Sequence, residues 1–268
     1  MSDMNRSFSG SMPEFYDYFL VPLIFEPFAR NLSNRLRGIT SGQVLEIAAG
    51  TGVLTRALVQ TLPKSVGITA TDLNPAMLDR AKSHAGMEDI VWQEADALAL
   101  PFSDKLFDYV VCQFGVMFFP DKVAAFREAR RVLRPGGQFL FSVWGNREGT
   151  LLGVTSDVVG AMLSRDPASM VAPMYNDDAT VRADLMTAGF ASVQQEMLLE
   201  RSRTASARQA AVAICHGGLL RSHIDGQAPH RLNEITDAAT QAIIAHFGDG
   251  PVDAPLHAIL FTSVRPAG

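Results

Sequence analysis

The chain has 268 residues, of which 47% are hydrophobic and 19% are charged, and its formal net charge is −5 at pH 7. This composition is that of a globular protein large enough to bury a sizeable core. The acidic balance argues against a dedicated nucleic-acid-binding protein, which normally presents a strongly basic face. We therefore expect no nucleic-acid partner.

Simple patterns disfavour three further classes of protein. The sequence has no run of eighteen apolar residues, so we expect no membrane span, and its polar first twenty residues lack the apolar core of a signal peptide. Its two cysteines, Cys112 and Cys215, are too few for a disulfide framework and are typical of a reducing compartment. They form no Cys-x-x-Cys motif, and no closely spaced histidine pair occurs. We expect a cytoplasmic protein without a metal site.

The predicted elements begin with a helical stretch at 13–37, which is rich in aromatic side chains. Short apolar runs then alternate with amphipathic stretches as far as residue 145. The predicted strands are 43–49, 65–71, 90–95, 107–114 and 138–144. The predicted helices between them are 53–62, 75–85 and 122–133. This alternation predicts a parallel sheet with helices on both faces.

The boundaries of two of these helices carry their own signals. Asn74-Pro75 is an N-cap followed by proline at the first helical position. The stretch Arg-Pro-Gly-Gly at 134–137 predicts a helix stop and a turn. After residue 145 we expect two helical patterns, a strand at 190–200, a long helical segment at about 205–247 and a last strand at 256–264.

The loop V-L-E-I-A-A-G-T-G-V-L-T at 44–55 has the outline of a strand, a tight turn and a helix. Such loops often bind a nucleotide, but the residues of this one match neither of the two common phosphate-binding motifs. It lacks the Gly-Lys-Ser/Thr of a Walker loop, and Thr55 stands where a dinucleotide fingerprint has its third glycine. A ligand without phosphates fits this loop better.

Three acids extend the pattern along the chain. Glu46 lies inside an otherwise apolar strand, where an acid is costly to bury without a partner. Asp72 ends the second strand, twenty residues after Gly52, where a carboxylate can accept both hydroxyls of a ribose. Asp96 ends the third strand and is followed by Ala97. Together they predict a nucleoside site at the strand ends.

Five motifs, taken in chain order, resemble those of a known family. The ordered motifs E-I-A-A-G-T-G, T-D-L-N-P-A-M-L, E-A-D-A-L-A-L-P-F, F-D-Y-V-V-C-Q-F and R-V-L-R-P-G-G are similar to those of class I S-adenosylmethionine-dependent methyltransferases. The small-molecule branch, which includes the ubiquinone/menaquinone-biosynthesis C-methyltransferases, is the most similar. One departure is Ala48, where the family usually has glycine; its methyl group is tolerated if the backbone angle is ordinary.

The resemblance implies the architecture of the chain. It implies a Rossmann-like, doubly wound, mostly parallel seven-stranded sheet with an antiparallel last strand, plus helical N-terminal and C-terminal lid segments. We expect one methyltransferase domain over 1–268. Its parts would be a helical cap at 1–40, a cofactor-binding core at 41–145, and substrate-side helices with the final strands at 146–268.

The resemblance also implies a cofactor, S-adenosylmethionine, with S-adenosylhomocysteine as product. The residues implied to bind it are Tyr16, Glu46, Ala48, Gly50, Gly52, Asp72, Leu73, Met77, Asp96, Ala97, Gln113 and Phe114. The methionine part would meet Glu46 and the loop, Asp72 would hold the ribose, and Asp96 and Ala97 would meet the adenine.

Each of these roles has an alternative from the residues alone. Glu46 could pair with an arginine in the core, and Asp72 could serve a helix-capping turn. Asp96 could be a surface acid, Gln113 a satisfied strand-end amide, and Tyr16 a core aromatic.

Methyl transfer to a hydroxyl, an activated carbon or a charged amine needs a base, usually histidine. His216 and His223 are the candidate catalytic residues, because the segment 203–254 would lie over the substrate side if the strand at 190–200 is parallel. Seven residues apart, they would share one helical face unless Gly217-Gly218 breaks the helix. The apolar run at 117–119 favours an aromatic or lipophilic acceptor, which we expect to be a small molecule.

Two other functions compete with methyl transfer. A nicotinamide-dependent oxidoreductase would use a similar fold, although the missing third glycine speaks against it. A non-catalytic protein could retain the nucleotide pocket. The sequence leaves the acceptor, the methylated atom and the oligomeric state open.

Overall fold

Seven β-strands form one sheet in the structure, a computed structural model that describes residues 12–267. The strands are β1 Gly42–Ile47, β2 Val66–Asp72, β3 Val91–Glu94, β4 Phe107–Gln113, β5 Leu133–Trp144, β6 Ala191–Thr204 and β7 Val252–Val264. Their order is β3-β2-β1-β4-β5-β7-β6. The order reverses between β1 and β4, and ligands of open α/β sheets bind at such a switch point, outside the carboxyl ends of the strands.

The strand directions agree with the predicted architecture. β1 to β5 are mutually parallel, and β7 is antiparallel to β5. Ala191 contacts Ser263 and Arg201 contacts Asp253, so β6 and β7 also run in opposite directions. β6 is therefore parallel to the first five strands. The predicted fold class, a mostly parallel seven-stranded sheet with an antiparallel last strand, is confirmed.

Helices connect these strands as the alternating pattern predicts. The helices within residues 12–267 are α1 Met12–Phe15, a π-helix Tyr16–Phe25, α2 Glu26–Asn34, α3 Val53–Thr61, α4 Pro75–Lys82, α5 Lys122–Val132, α6 Leu151–Leu163, α7 Asp178–Thr187, α8 Ala207–Gly217, α9 Leu219–Gln227 and α10 Leu232–Phe247. The Asn74 side chain accepts a hydrogen bond from the Ala76 amide and so caps α4, as predicted.

β5 differs from its predicted form because the Arg-Pro-Gly-Gly stretch belongs to the strand. Leu133 pairs with Phe107, and the next pairing joins Gln138 to Tyr109. Residues 134–137 therefore form an irregular insertion in the strand ladder. The predicted helix stop is confirmed, but the predicted free turn is wrong.

The helical segment predicted at about 205–247 is helical in the structure but consists of several helices. α8 ends at Gly217 and α9 begins at Leu219, with Gly218 extended between them (φ −155°, ψ −153°). The helix therefore breaks at Gly217-Gly218, the exception that the sequence analysis named, and His216 and His223 lie on two different helices.

The chain divides into two compact units. The described part of the first unit comprises residues 12–27, 146–173 and 199–257, and within it α8 packs against the π-helix and α10 packs against α6 and α8. The second unit comprises residues 28–145, 174–198 and 258–267 and contains β1 to β5. Its fully buried aromatic side chains are Phe28, Phe107, Phe126, Phe139, Phe141 and Phe261. Residues 1–11 of the predicted N-terminal cap lie outside the described residues.

Across residues 12–267, no helix combines the length and the apolar character that a membrane crossing requires.

Candidate active site

The loop between β1 and α3 holds the first predicted site residues, and backbone hydrogen bonds fix its shape. The Ala49 amide donates to the Thr71 carbonyl and the Gly52 amide donates to the Ala49 carbonyl, both at 2.9 Å. A Cβ on Gly52 would lie 3.0 Å from the Cβ of Ala81, whereas a Cβ on Gly50 would meet no atom within 4 Å. The loop is packed against α4 at Gly52 and open at Gly50, which leaves room for a ligand.

Ala48 has a left-handed backbone with φ of 57°, so its backbone angle is not the ordinary one that tolerance of a methyl group requires. This conformation costs a non-glycine residue about 1–2 kcal/mol. Phe114 has the same φ of 57°. Both residues follow the carboxyl ends of neighbouring strands, β1 and β4. Backbone strain of this kind clusters at functional sites.

Glu46 is buried at the end of β1, with 1% of its surface exposed. The Thr55 hydroxyl donates to its Oε2 at 2.6 Å. Burial raises the pKa of Glu46 to about 8 and the nearby Asp72 also raises it, while the Thr55 bond and the charge of Arg56 lower it. Near neutral pH the carboxyl is largely protonated, and a cationic ligand group beside it would favour the ionised form.

Asp72 connects the loop to the start of α4. The Gly50 amide donates to its Oδ2 and the Asn74 amide donates to its Oδ1, both at 2.8 Å. Burial raises the pKa of Asp72, whereas these backbone bonds lower it. Asp72 does serve the capping turn, as the alternative expected. Each carboxylate oxygen still has a second acceptor position, so the same side chain can bind hydroxyl groups.

The residues predicted to meet an adenine differ in exposure. Met77 and Ala97 are buried, whereas Leu73 is 44% exposed at the surface of the turn. Asp96 is exposed, and its Oδ1 accepts from the Leu98 amide at 2.9 Å. Three apolar side chains and an accessible carboxylate therefore lie after the carboxyl ends of β2 and β3.

The end of β4 leads into an aromatic cluster. Gln113 is half-buried in the last position of the strand. The Phe114 ring stacks on Trp144 at 3.8 Å between centroids, and Phe28 lies edge-on to both rings. Met117 is 2% exposed and its Sδ accepts from the Trp144 amide at 3.4 Å. Met117 is therefore a core residue rather than an accessible wall.

Thr55 is a site residue whose role the sequence analysis missed. In the sequence, Thr55 was notable only because it stands where a dinucleotide-binding motif has its third glycine. The structure places its side chain at 0% exposure and directs its hydroxyl to Glu46. The spacing offers a signal, since a hydroxyl in the first turn after the loop can point back to the acid of β1.

Tyr16, His216 and His223 belong to the first unit, whereas the loop residues belong to the second. The Tyr16 ring lies 5.3 Å from the Phe25 ring within the π-helix. π-helices are rare and often occur at functional sites. The His216 ring stacks on Phe15 with centroids 5.8 Å apart.

Hydrogen bonds define the tautomers of the two histidines. The Thr236 hydroxyl donates to the Leu232 carbonyl at 2.7 Å, so it accepts from Nε2 of His216 at 3.1 Å and leaves Nδ1 as the basic nitrogen. In His223, Nδ1 accepts from Arg165 at 3.3 Å, because a guanidinium can only donate.

The pKa values of both histidines move in the same direction. Burial lowers the pKa of His216, and Arg221 and Arg208 lower it further against the opposing charge of Asp225. Burial and Arg165 lower the pKa of His223. Both rings are therefore neutral at physiological pH, but only His216 keeps its basic nitrogen outside these hydrogen bonds.

Within the part of the chain that the structure describes, no group of three His, Cys, Asp or Glu side chains is arranged to hold a metal ion. Cys112 and Cys215 are free, buried thiols.

Comparisons with known proteins relate this chain to a family. The model of a family described as "Methyltransferase domain" matches residues 44–137. An uncharacterized protein of Mycobacterium tuberculosis is 41% identical over 110 residues, which cover 40% of this chain and 39% of that protein. The chain thus spans about two fifths of that relative's length.

A second relative covers more of both chains. The ubiquinone/menaquinone biosynthesis C-methyltransferase of Hahella chejuensis is 31% identical over 170 residues, or 57% of this chain and 68% of that protein. The solved structure of the YcgJ protein of Bacillus subtilis superimposes with a TM-score of 0.58, over 90% of this chain and 99% of that protein. Because the two sequences are only 21% identical, this similarity shows the fold alone. The loop after β1, the acids at the strand ends and these similarities lead to one conclusion. The chain belongs to the class I S-adenosylmethionine-dependent methyltransferases.

Proposed function

We propose that this chain binds S-adenosylmethionine at the carboxyl ends of β1, β2 and β4 and transfers its methyl group to a small-molecule acceptor. The observation that carries the proposal is the arrangement of two acids, the buried Glu46 and the half-buried Asp72, around an open loop. Asp72 holds the Gly50 amide at 2.8 Å, Glu46 lies beneath the loop, and Gly50 itself faces open space.

The residues present fit this cofactor chemically. Glu46 is a buried acid that a neighbouring ammonium group would ionise, and the cofactor's methionine part supplies one. Asp72 has acceptor positions left for ribose hydroxyls. The loop has no lysine for a phosphate, and this cofactor has none. When bound, S-adenosylmethionine supplies an electrophilic methyl group on its sulfonium.

The remaining binding roles follow from exposure and position. Met77 and Leu73 offer apolar surface to the adenine, Asp96 accepts from its amino group, and the Ala97 amide donates to the ring. Gln113, at the end of β4, faces the methionine part. These residues hold the cofactor while the protein excludes water and positions the acceptor, which supplies most of the catalysis in a direct displacement.

The acceptor class rests on similarity rather than on geometry. The name of the Hahella chejuensis relative describes transfer to carbon in the biosynthesis of ubiquinone and menaquinone. This supports methylation of a carbon atom on a small, lipophilic molecule. Where the acceptor loses a proton, His216 is the better proton acceptor of the two predicted histidines, because the lone pair of His223 is engaged by Arg165.

Calorimetric titration with S-adenosylhomocysteine tests the binding part. We expect micromolar affinity, and we expect Asp72→Ala to weaken it roughly 10- to 100-fold through loss of a charge-assisted hydrogen bond. Asp89→Ala is the matched control, since Asp89 is an exposed acid paired with Lys64. Absence of binding to the unmodified chain would refute the proposal.

Two further measurements separate the alternatives. A fluorescence titration with NADH should show no saturable binding; tight NADH binding without S-adenosylhomocysteine binding would favour an oxidoreductase. Transfer of a labelled methyl group to a panel of lipophilic ring compounds tests turnover. Cofactor binding with no transfer to any of them would favour a non-catalytic protein.

A further inference from the structure

Gly115 lies where a side chain would collide with Ala48. A Cβ built on Gly115 would be 2.5 Å from the Cβ of Ala48 and 2.8 Å from Sγ of Cys112. Both distances are shorter than carbon and sulfur atoms tolerate; Cys112 is fully buried and Ala48 is half-buried. The methyl group of Ala48 therefore occupies the space that any side chain at position 115 would need.

The two residues belong to different loops of the candidate site. Ala48 directly follows β1, and Gly115 follows Phe114, which directly follows β4. β1 and β4 are neighbours at the point where the strand order reverses. The contact therefore joins the loop that carries Gly50 to the loop that carries Phe114.

The second loop is held from its other side. The Phe114 amide donates to the Ser142 carbonyl at 3.0 Å, and its ring stacks on Trp144. With the aromatic side fixed, the methyl group of Ala48 sets how closely the β1 loop approaches the β4 loop. Both loops keep left-handed residues, Ala48 and Phe114, at their first positions.

We infer that Ala48 and Gly115 are a complementary pair of positioning residues that sets the spacing of the two loops around the methionine part of the cofactor. This inference rests on the proposed function, because it assigns the pair to that binding site. It also explains how the chain uses alanine in a loop position with a left-handed backbone: the missing side chain at 115 makes room for the methyl group.

The test is a double-mutant cycle read out by S-adenosylhomocysteine affinity at a temperature where every variant is folded. Ala48→Gly removes the methyl group and relieves the backbone, so we expect an unchanged or slightly higher melting temperature but roughly 3- to 10-fold weaker binding. Gly115→Ala forces the loops apart, and we expect a lower melting temperature and binding weakened more than about tenfold. In Ala48→Gly/Gly115→Ala, the clash with the methyl group of Ala48 is gone and only the Cys112 thiol must shift, so binding should recover at least about threefold relative to Gly115→Ala.

Gly137→Ala is the matched control. A Cβ there would lie 2.9 Å from the Arg134 and Asp108 carbonyl oxygens, away from Ala48. It should lower the melting temperature by the same amount with alanine or glycine at position 48, and leave the affinity unchanged.

Two results would overturn the inference. One is that Gly115→Ala weakens S-adenosylhomocysteine binding by the same factor whether position 48 is alanine or glycine. The other is weaker binding in Ala48→Gly that merely follows a lower melting temperature. The melting temperatures need no ligand, so failure of the wild type to bind S-adenosylhomocysteine would refute the proposed function separately from the packing of the pair.

Discussion

Single residues at this site act through the environment of their charges. Glu46 is an acid in an apolar strand, and the sequence alone leaves open whether an arginine or a ligand compensates it. The structure gives it a hydroxyl partner, Thr55, and a pKa near 8. A protonated, hydrogen-bonded carboxyl is tolerated in the core, because near neutral pH no anion is then buried at this position.

This leads to a prediction about pH. The folded pKa of Glu46, about 8, exceeds its ordinary value of 4.5. Between these values the unfolded chain loses the proton while the folded chain keeps it, so the free energy of unfolding falls as pH rises and levels off above about 8. Glu46→Gln removes this slope. Between pH 5 and 8.5 the wild type should lose about 3 kcal/mol more stability than the variant.

Urea denaturation followed by tryptophan fluorescence at several pH values measures this difference. Glu94→Gln is the control, because Glu94 is exposed on β3 and should leave the pH curve of the wild type unchanged. Parallel curves for Glu46→Gln and the wild type would contradict the assignment of the slope to Glu46.

At the scale of the secondary-structure elements, two glycines differ in whether their backbone angles require glycine. Gly136 has φ of 80° inside the irregular part of β5, and a Cβ there would meet no atom within 4 Å. Gly226 lies in α9 without a positive φ and has equally open surroundings. The two positions thus differ in backbone conformation but not in space.

We therefore expect opposite effects from the same substitution. Gly136→Ala should lower the free energy of unfolding by about 1 kcal/mol, because alanine is strained at positive φ. Gly226→Ala should leave it unchanged or raise it by up to about 1 kcal/mol, since alanine favours the helix. Equilibrium denaturation of both variants measures this, and equal effects would show that the insertion in β5 adapts to alanine.

At the scale of the whole molecule, the last strand, β7, lies between β5 and β6, and the residue that follows it is tied to α5. The Arg265 guanidinium donates to the carbonyl oxygens of Arg130, Arg131 and Leu133 at 2.6–3.0 Å. These are carbonyls at and just beyond the end of α5, where a cation is favourable. The single-domain organisation predicted for residues 1–268 stays a prediction.

Arg265→Ala should lower the free energy of unfolding by about 2 kcal/mol through the loss of these hydrogen bonds. Arg203→Ala is the control, since Arg203 is 70% exposed and pairs with Asp253 at 3.4 Å, and it should change stability by less than about 1 kcal/mol. Thermal denaturation compares them. Equal, small shifts would mean that the β7 end contributes little to the cohesion of the sheet.

The sequence by itself determined the parallel sheet, the loop and the spacing of Glu46, Gly50 and Asp72. These follow from local patterns, because strand periodicity, loop glycines and strand-end acids lie within a few residues of one another. Only the tertiary structure decided the Thr55 partner of Glu46, the left-handed backbone of Ala48, the direction of β6 and the helix break at Gly218. The direction of β6 depends on its pairing with β7, which is distant in the sequence, and the other three depend on backbone angles and side-chain contacts that residue spacing permits but does not fix.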